Sequence, residues 1–144
     1  MKKTNNKGFS LVELIVVVAI MAVLMIVVAP QLLRYVDKTR QQRDESATAE
    51  LEHAIEIAIA DETIYNSLKL GDGPVTVTAP DDAAFTCSAS DGALLAEINL
   101  VFPDGEFNYS SAEHDGDTYT ITITQAAGSG ATISGSWPAP APTP

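Results

Sequence analysis

From Phe9 to Ala29 the chain has 21 residues, all apolar except Ser10 and Glu13. Apolarity this continuous is not the one-sided stripe of a globular helix. As a helix it spans roughly 30 Å, the thickness of one bilayer core. The pattern changes at Pro30. Gln31 to Leu70 reads as an amphipathic helix, with Leu51, Ala54, Ile55, Ala58 and Tyr65 on one face. Ile57, Ile64 and Leu68 widen that face, and Glu52, Glu56 and Thr63 lie opposite. One bent helix from Phe9 to Leu70 would run roughly 90 Å at the standard rise. Pro30 lacks an amide hydrogen and clashes with the carbonyl of Ile26, which predicts a kink or local opening there.

Gly71-Asp72-Gly73-Pro74 stops the helix. After it the period shortens to two: Val75-Thr76-Val77-Thr78 alternates as a strand, a turn comes next at Pro80-Asp81-Asp82, and a mixed stretch surrounds Phe85. Gly92 to Leu100 fits a short helix slightly better than a strand, through Leu94, Leu95, Ile98 and Val101. Phe102-Pro103-Asp104-Gly105 is a turn, and Glu106–Ser110, Asp117–Gln125 and Ala131–Trp137 read as three strands. The clearest places Tyr119, Ile121 and Ile123 on one face and threonines on the other. Consecutive strands with short connections predict an antiparallel sheet, and the second half of the long helix is the available cover for its apolar face. The predicted class is therefore α+β, a long kinked N-terminal helix on a small antiparallel sheet. Residues 138–144, Pro-Ala-Pro-Ala-Pro-Thr-Pro, form a loose extended tail.

Charge adds orientation. Lys2, Lys3 and Lys7 precede the apolar run with no acid among them, which keeps the first residues cytoplasmic and puts the chain beyond Ala29 outside. A secretory signal peptide also begins this way, but helix-compatible sequence continues past Pro30 here, so that alternative is the weaker one. With 144 residues and about 30 in leader and anchor, one small domain remains. The formal net charge is -11, and losing the three leading lysines takes it to -14; after Arg43 the only base is Lys69. Such a surface repels nucleic acid and anionic lipid, so direct nucleic-acid binding by the domain is not expected. The exception is a basic collar beyond the membrane, Arg34, Lys38, Arg40 and Arg43 against Asp37. It can meet anionic headgroups in the monomer, and acids such as Asp44, Glu45 or a neighbour's domain in an assembly. A solvated face with i, i+4 pairs such as Arg40 with Asp44 serves equally well.

The head of the apolar run carries the most specific signal. Lys7-Gly8-Phe9-Ser10-Leu11-Val12-Glu13-Leu14 resembles the processing motif of type IV pilins and type II secretion pseudopilins. A basic leader, a glycine, an aromatic residue and a glutamate four residues later coincide at the start of a membrane helix. The resemblance implies that a prepilin peptidase cuts between Gly8 and Phe9, removes residues 1–8, and methylates the new amine of Phe9. It also implies a homopolymeric helical filament, built from the membrane by an assembly platform with cytoplasmic ATPases. In this division residues 9–30 are the transmembrane and filament-core helix, 31–70 its amphipathic continuation, and 71–137 the loop region and sheet. The family often places a glycine where Ala22 stands, and helicity near Pro30 can be lost on assembly.

Glu13 then has a physical role. A carboxylate in a hydrocarbon-spanning helix is kept mainly where it has a partner or a task. Cleavage creates a cation on Phe9, and a neighbouring subunit can set that cation against Glu13, where a low effective dielectric strengthens the attraction. Spacing i to i+4 also permits a pair within one chain, and a glutamate near the cytoplasmic end can simply snorkel.

Other candidate chemistry is thin. The single cysteine, Cys87, excludes an intrachain disulfide, a departure from many Gram-negative pilins, and reads as a small buried residue. Glu113, Asp115 and Asp117 cluster round Gly116, but their spacing is not that of an EF-hand, and a solvated turn fits better. His53 and His114 lack a partner ligand at metal spacing, no catalytic constellation stands out, and no cofactor is implied. Asn108-Tyr109-Ser110 matches the short glycosylation pattern. Two function classes remain: a filament subunit, as bulk pilin or as pseudopilin of a secretion system, and a non-polymerising membrane-anchored binding domain. The last leaves Gly8, Phe9 and Glu13 without explanation.

Overall fold

The computed structural model describes residues 9–89, 92–126 and 130–139. The leader and most of the Pro-rich tail lie outside the described residues. The chain divides into two compact units, residues 1–38 and 39–144. The first consists, in its described part, of the start of helix α1 (Leu11–Ile59), in which the apolar residues face outward all round. The helix is unbroken on both sides of Pro30.

In the second unit the same helix becomes one-sided. Asp44, Thr48, Leu51, Ala54, Ile55 and Ala58 are buried, a spacing of three and four that draws one stripe along the helix. The helix ends sooner than its apolar pattern implies. Ala60 and Asp61 donate to Ile57 and Ala58 in tighter i to i−3 bonds. Asp61 then turns extended and caps a new helix, α2 (Glu62–Ser67), accepting from the Thr63 amide at 2.7 Å. That hydrogen bond also holds the Asp61 carboxyl below its usual pKa. The single helix expected over 31–70 is thus divided by an aspartate, whose short acceptor competes with the backbone for donors. The path beyond α2 is turned by Lys69 in the left-handed region (φ 48°), ahead of a short 3-10 turn at Leu70–Asp72, so the reversal begins before Gly71.

The sheet contains β1 (Val75–Pro80), β2 (Thr86–Cys87), β3 (Thr118–Ala126) and β4 (Gly130–Ser136), with α3 (Ala93–Val101) inserted between β2 and β3. Spatial order is β2-β1-β3-β4, and every pairing is antiparallel. The Gly92–Leu100 stretch is the helix its apolar spacing favours. The strand expected at 106–110 is reduced to isolated bridges, Asp81 with Phe107 and Ala84 with Glu106. Phe107 is instead turned into an aromatic cluster with Phe85 and Phe102, all edge-on at 5.1 to 5.9 Å.

Register decides which side of the sheet is covered. Val75 faces Ile123 and Val77 faces Ile121 across β1 and β3, and these four pack with Leu51, Ile55 and Ala58 of α1 in one core. Leu94 and Ile98 of α3 join it. Ile57, read as widening the buried face, points to solvent and is 60% exposed, because the sheet covers a narrower stripe than the sequence pattern offers. The opposite sheet face carries Thr76, Thr78, Thr120 and Thr122 in register.

Polar links also fasten α1 to distant parts of the domain. The Asp44 carboxylate accepts from the amides of Ser110 and Ser111 at 3.0 and 2.9 Å and from the Ser110 hydroxyl at 3.1 Å. Gln41 donates to Glu113 at 2.6 Å. Tyr119 donates its hydroxyl to Glu52 at 2.6 Å, passing directly over Gly135, where a Cβ would collide with the tyrosine and the carboxylate together. Burial, with the bond to Glu52 and its charge, pushes the Tyr119 phenol up. The end of β4 is held by Trp137, stacked on His114 at 3.6 Å and lying 4.9 and 4.8 Å from the rings of Tyr109 and Tyr119. In a chain with one cysteine, these rings do what a bridge would otherwise do for the C-terminal strand. Cys87 is half-buried, and burial raises its pKa, so it is a poor nucleophile.

Candidate functional site

The candidate site is the head of α1. Phe9 is 86% exposed and, with Ser10, precedes the helix. Ser10 occupies the N-cap position: its carbonyl accepts from the Leu14 amide at 3.3 Å, the first bond of the helical ladder. Glu13, three residues on, reaches back, and its Oε2 accepts from the Ser10 amide at 2.9 Å. Ser-x-x-Glu at this spacing is the capping box, in which the glutamate satisfies the amide of the N-cap residue. The carboxylate therefore has a local partner at the positive end of the helix dipole. Sequence reasoning weighed a snorkelling or ion-paired Glu13 and missed this third state, although Ser10-Leu11-Val12-Glu13 contains its signature.

Behind Glu13 the side chains from Leu14 to Val28 form an uninterrupted apolar surface, with none of the large ones buried. The helix is long and apolar enough to cross a membrane. An apolar surface of this extent is not stable in water and calls for lipid or other helices. Gly8, the residue expected on the leader side of the cleaved bond, lies outside the described residues; Phe9 and Glu13 are two ends of one short segment, and Pro30 lies further along the same helix.

The basic collar is exposed at Arg34, Lys38, Arg40 and Arg43. Its expected acidic partner Asp44 is not available. Asp44 is only 2% exposed and turned inward. Burial alone would raise its pKa, but the hydrogen bonds from Ser110 and Ser111 together outweigh this and hold the carboxyl below the usual range. Asp44 thus neither pairs with Arg40 on the helix face nor meets a neighbour's base, because its lone pairs are occupied by a loop 66 and 67 residues away. Glu45 remains exposed.

The acidic loop also resolves into local contacts. Glu113 accepts from Gln41, and Asp117 lies 3.5 Å from the His114 ring nitrogen. Among the described residues no group of three or more acidic, histidine or cysteine side chains could hold a metal ion.

Comparison with known proteins bears on the same segment. A family described as "Prokaryotic N-terminal methylation motif" matches residues 3–29. The chain is similar to the prepilin peptidase-dependent protein A of Clostridium perfringens, at 34% identity over 67 residues, 46% of this chain and 48% of the relative. It is similar to the type IV major fimbrial protein FimA of Dichelobacter nodosus, at 32% identity over 101 residues, 70% of this chain and 65% of the relative. A second FimA from that organism matches at 37% over 59 residues, 41% of this chain and 38% of the relative. In each case the match spans less than two thirds of the relative's own length. No solved structure matches the chain. An exposed apolar helix headed by the methylation motif, an antiparallel sheet covered on one face and the similarity to fimbrial relatives together make this chain similar to type IV pilins.

Proposed function

We propose that the chain is the bulk structural subunit of a type IV pilus, stored in the cytoplasmic membrane and then polymerised into a surface filament. The supporting observation is the outward-facing apolar helix with a single carboxylate at its head: it has no use for its surface unless lipid or sister helices cover it. The stored form is a single pass with the N-terminus inside, set by Lys2, Lys3 and Lys7. A prepilin peptidase removes residues 1–8 by cutting between Gly8 and Phe9, and the new Phe9 amine is methylated. An incoming subunit's Glu13 exchanges the Ser10 amide for the ammonium of a neighbouring Phe9. The exchange replaces a neutral donor by a charged one in an apolar setting, where opposite charges attract strongly.

Residues 9–30 then form the core of the homopolymer, with Pro30 the place where the helix opens as it packs, and residues 39 onward form the acidic exterior. Arg34, Lys38, Arg40 and Arg43 face anionic headgroups before assembly and exposed acids of neighbouring subunits after it. A membrane platform with cytoplasmic ATPases supplies the work of extraction. The role is structural rather than enzymatic.

Glu13→Ala tests this reading. Leader removal, read by mass, stays near normal, while sheared surface filaments fall strongly. Normal filament yield from cleaved Glu13→Ala protein would remove the proposed pairing. Glu13→Gln separates the two roles, because the amide oxygen still caps Ser10 but has no charge to offer Phe9; it is expected to assemble as poorly as Glu13→Ala.

A further inference from the structure

The uncovered face of the sheet is unlike the rest of the molecule. No Asp, Glu, Lys or Arg occurs anywhere in β1, β2, β3 or β4, in a chain whose net charge is -11. The face is a lattice of hydroxyls and methyls instead. Thr86, Thr78, Thr120 and Ser136 stand side by side across all four strands, and Thr122 and Ser134 continue the next row. Thr78 and Thr86 hydroxyls hydrogen-bond to each other at 2.5 Å. Thr86, Ser134 and Ser136 are exposed, and Thr78, Thr120 and Thr122 are half-buried. The nearest acid beyond β1, Asp81, is engaged by the amides of Tyr109 and Gly116, both at 2.9 Å.

We infer that this face is a lateral docking surface for a second copy of the chain in a neighbouring filament. The inference rests on the filament reading above. Charge selects the occupant: two copies of so acidic a protein repel over most orientations, and this is the patch they can press together without bringing carboxylates into contact. Stacked sheets lie about 10 Å apart, close to one Debye length at physiological salt, so flanking acids are largely screened once faces meet. Size selects the setting. At about 3.3 Å per residue and about 4.8 Å between strands, the four strands together present roughly 400 Å², about half of the roughly 800 Å² per partner that a stable pair needs. A single contact does not hold two free subunits, whereas many repeated along two filaments act together.

The test is bundling of filaments sheared from cells, read by electron microscopy and low-speed pelleting over a salt series. The parent filaments are expected to bundle, increasingly as salt screens their repulsion. Ser134→Glu on the edge strand, and separately Thr122→Glu at the centre, leave filament number unchanged and lower the bundled fraction roughly tenfold, since every repeat loses its contact at once. Ala96→Glu adds the same charge on exposed α3, away from the face, and leaves bundling as in the parent. Bundles that survive both face substitutions overturn the inference. So do bundles dissolved equally by Ala96→Glu, bundles removed only by a glycan-cleaving enzyme, and parent filaments that stay single at every salt. Cells without filaments would overturn the filament reading itself and take this surface with it.

Discussion

The two ends of the chain are rich in the same kind of side chain and use it in opposite ways. In the first unit the large apolar residues stand exposed on all sides of one helix. In the second, Leu51, Ile55, Val77, Ile121 and Ile123 are wholly excluded from solvent by one another. What separates them is whether polar positions interrupt the apolar ones at a regular period. A stripe three or four residues apart leaves a helix with one face to bury, and a sheet of matching alternation can bury it within the chain. A helix that is apolar all round cannot be satisfied by one small sheet, so its partners lie outside the chain. Substitutions in the two regions should therefore separate stability from assembly, and the single tryptophan, Trp137, reports folding of the domain in every case.

The largest effect belongs to the shared core. Ile121→Ala leaves a cavity where β3 meets α1, and a fully buried isoleucine cut to alanine costs about 2 to 5 kcal/mol. Urea unfolding of the full chain in detergent, tracked by Trp137 fluorescence, should show the midpoint falling accordingly. A loss below 1 kcal/mol would mean that the domain does not depend on this layer. Next comes Gly135→Ala, where the new Cβ meets the Tyr119 hydroxyl and Glu52. Overpacking of that kind costs about 1 to 3 kcal/mol. Pairing it with Tyr119→Phe, which removes the obstructing hydroxyl, should recover part of the loss.

Asp44 sharpens the comparison through pH. Its pKa is lower in the folded chain than its ordinary value of 3.8. A depressed folded pKa means that the stabilisation is complete above the unfolded value and is lost as pH falls through the folded one. The parent should therefore lose stability below about pH 4. Asp44→Asn, which offers Ser110 and Ser111 one carbonyl oxygen in place of a carboxylate, should be weaker at pH 7 by about 1 to 3 kcal/mol. The gap between the two proteins should narrow in acid. A constant gap down to pH 2 would show that the carboxylate charge is not what Asp44 contributes.

These residues also show what the sequence could tell. The apolar run, the buried stripe at Leu51, Ala54, Ile55 and Ala58, and the alternation of Tyr119, Ile121 and Ile123 were legible because each is a local period. So was the N-terminal methylation motif, matched over residues 3–29, whose residues lie within one short segment. Asp44 was misplaced because its partners lie 66 and 67 residues away, and an acid four residues after Arg40 looks like a surface pair. The break at Asp61 was hidden by apolar spacing that continues through it. Phe107 was read into a strand because its neighbours permit one, whereas ring packing with Phe85 and Phe102 decides its place.

The smallest expected change in stability comes from the region whose apolar surface is largest. Leu24 is 58% exposed and is not among the residues of the buried core, so on the filament reading Leu24→Ala thins the surface offered to lipid or sister helices and leaves that core as it is. Surface substitutions of this kind usually stay within about 0.5 kcal/mol, and the Trp137 unfolding curve in detergent should overlay the parent. Filament yield should nevertheless fall, because every subunit in a polymer loses the same packed group. If instead the domain is destabilised as much as by Ile121→Ala, the apolar stretch is part of what holds the domain together. If yield and stability are both untouched, the rod is a membrane anchor alone, and the work of polymerisation falls to the domain.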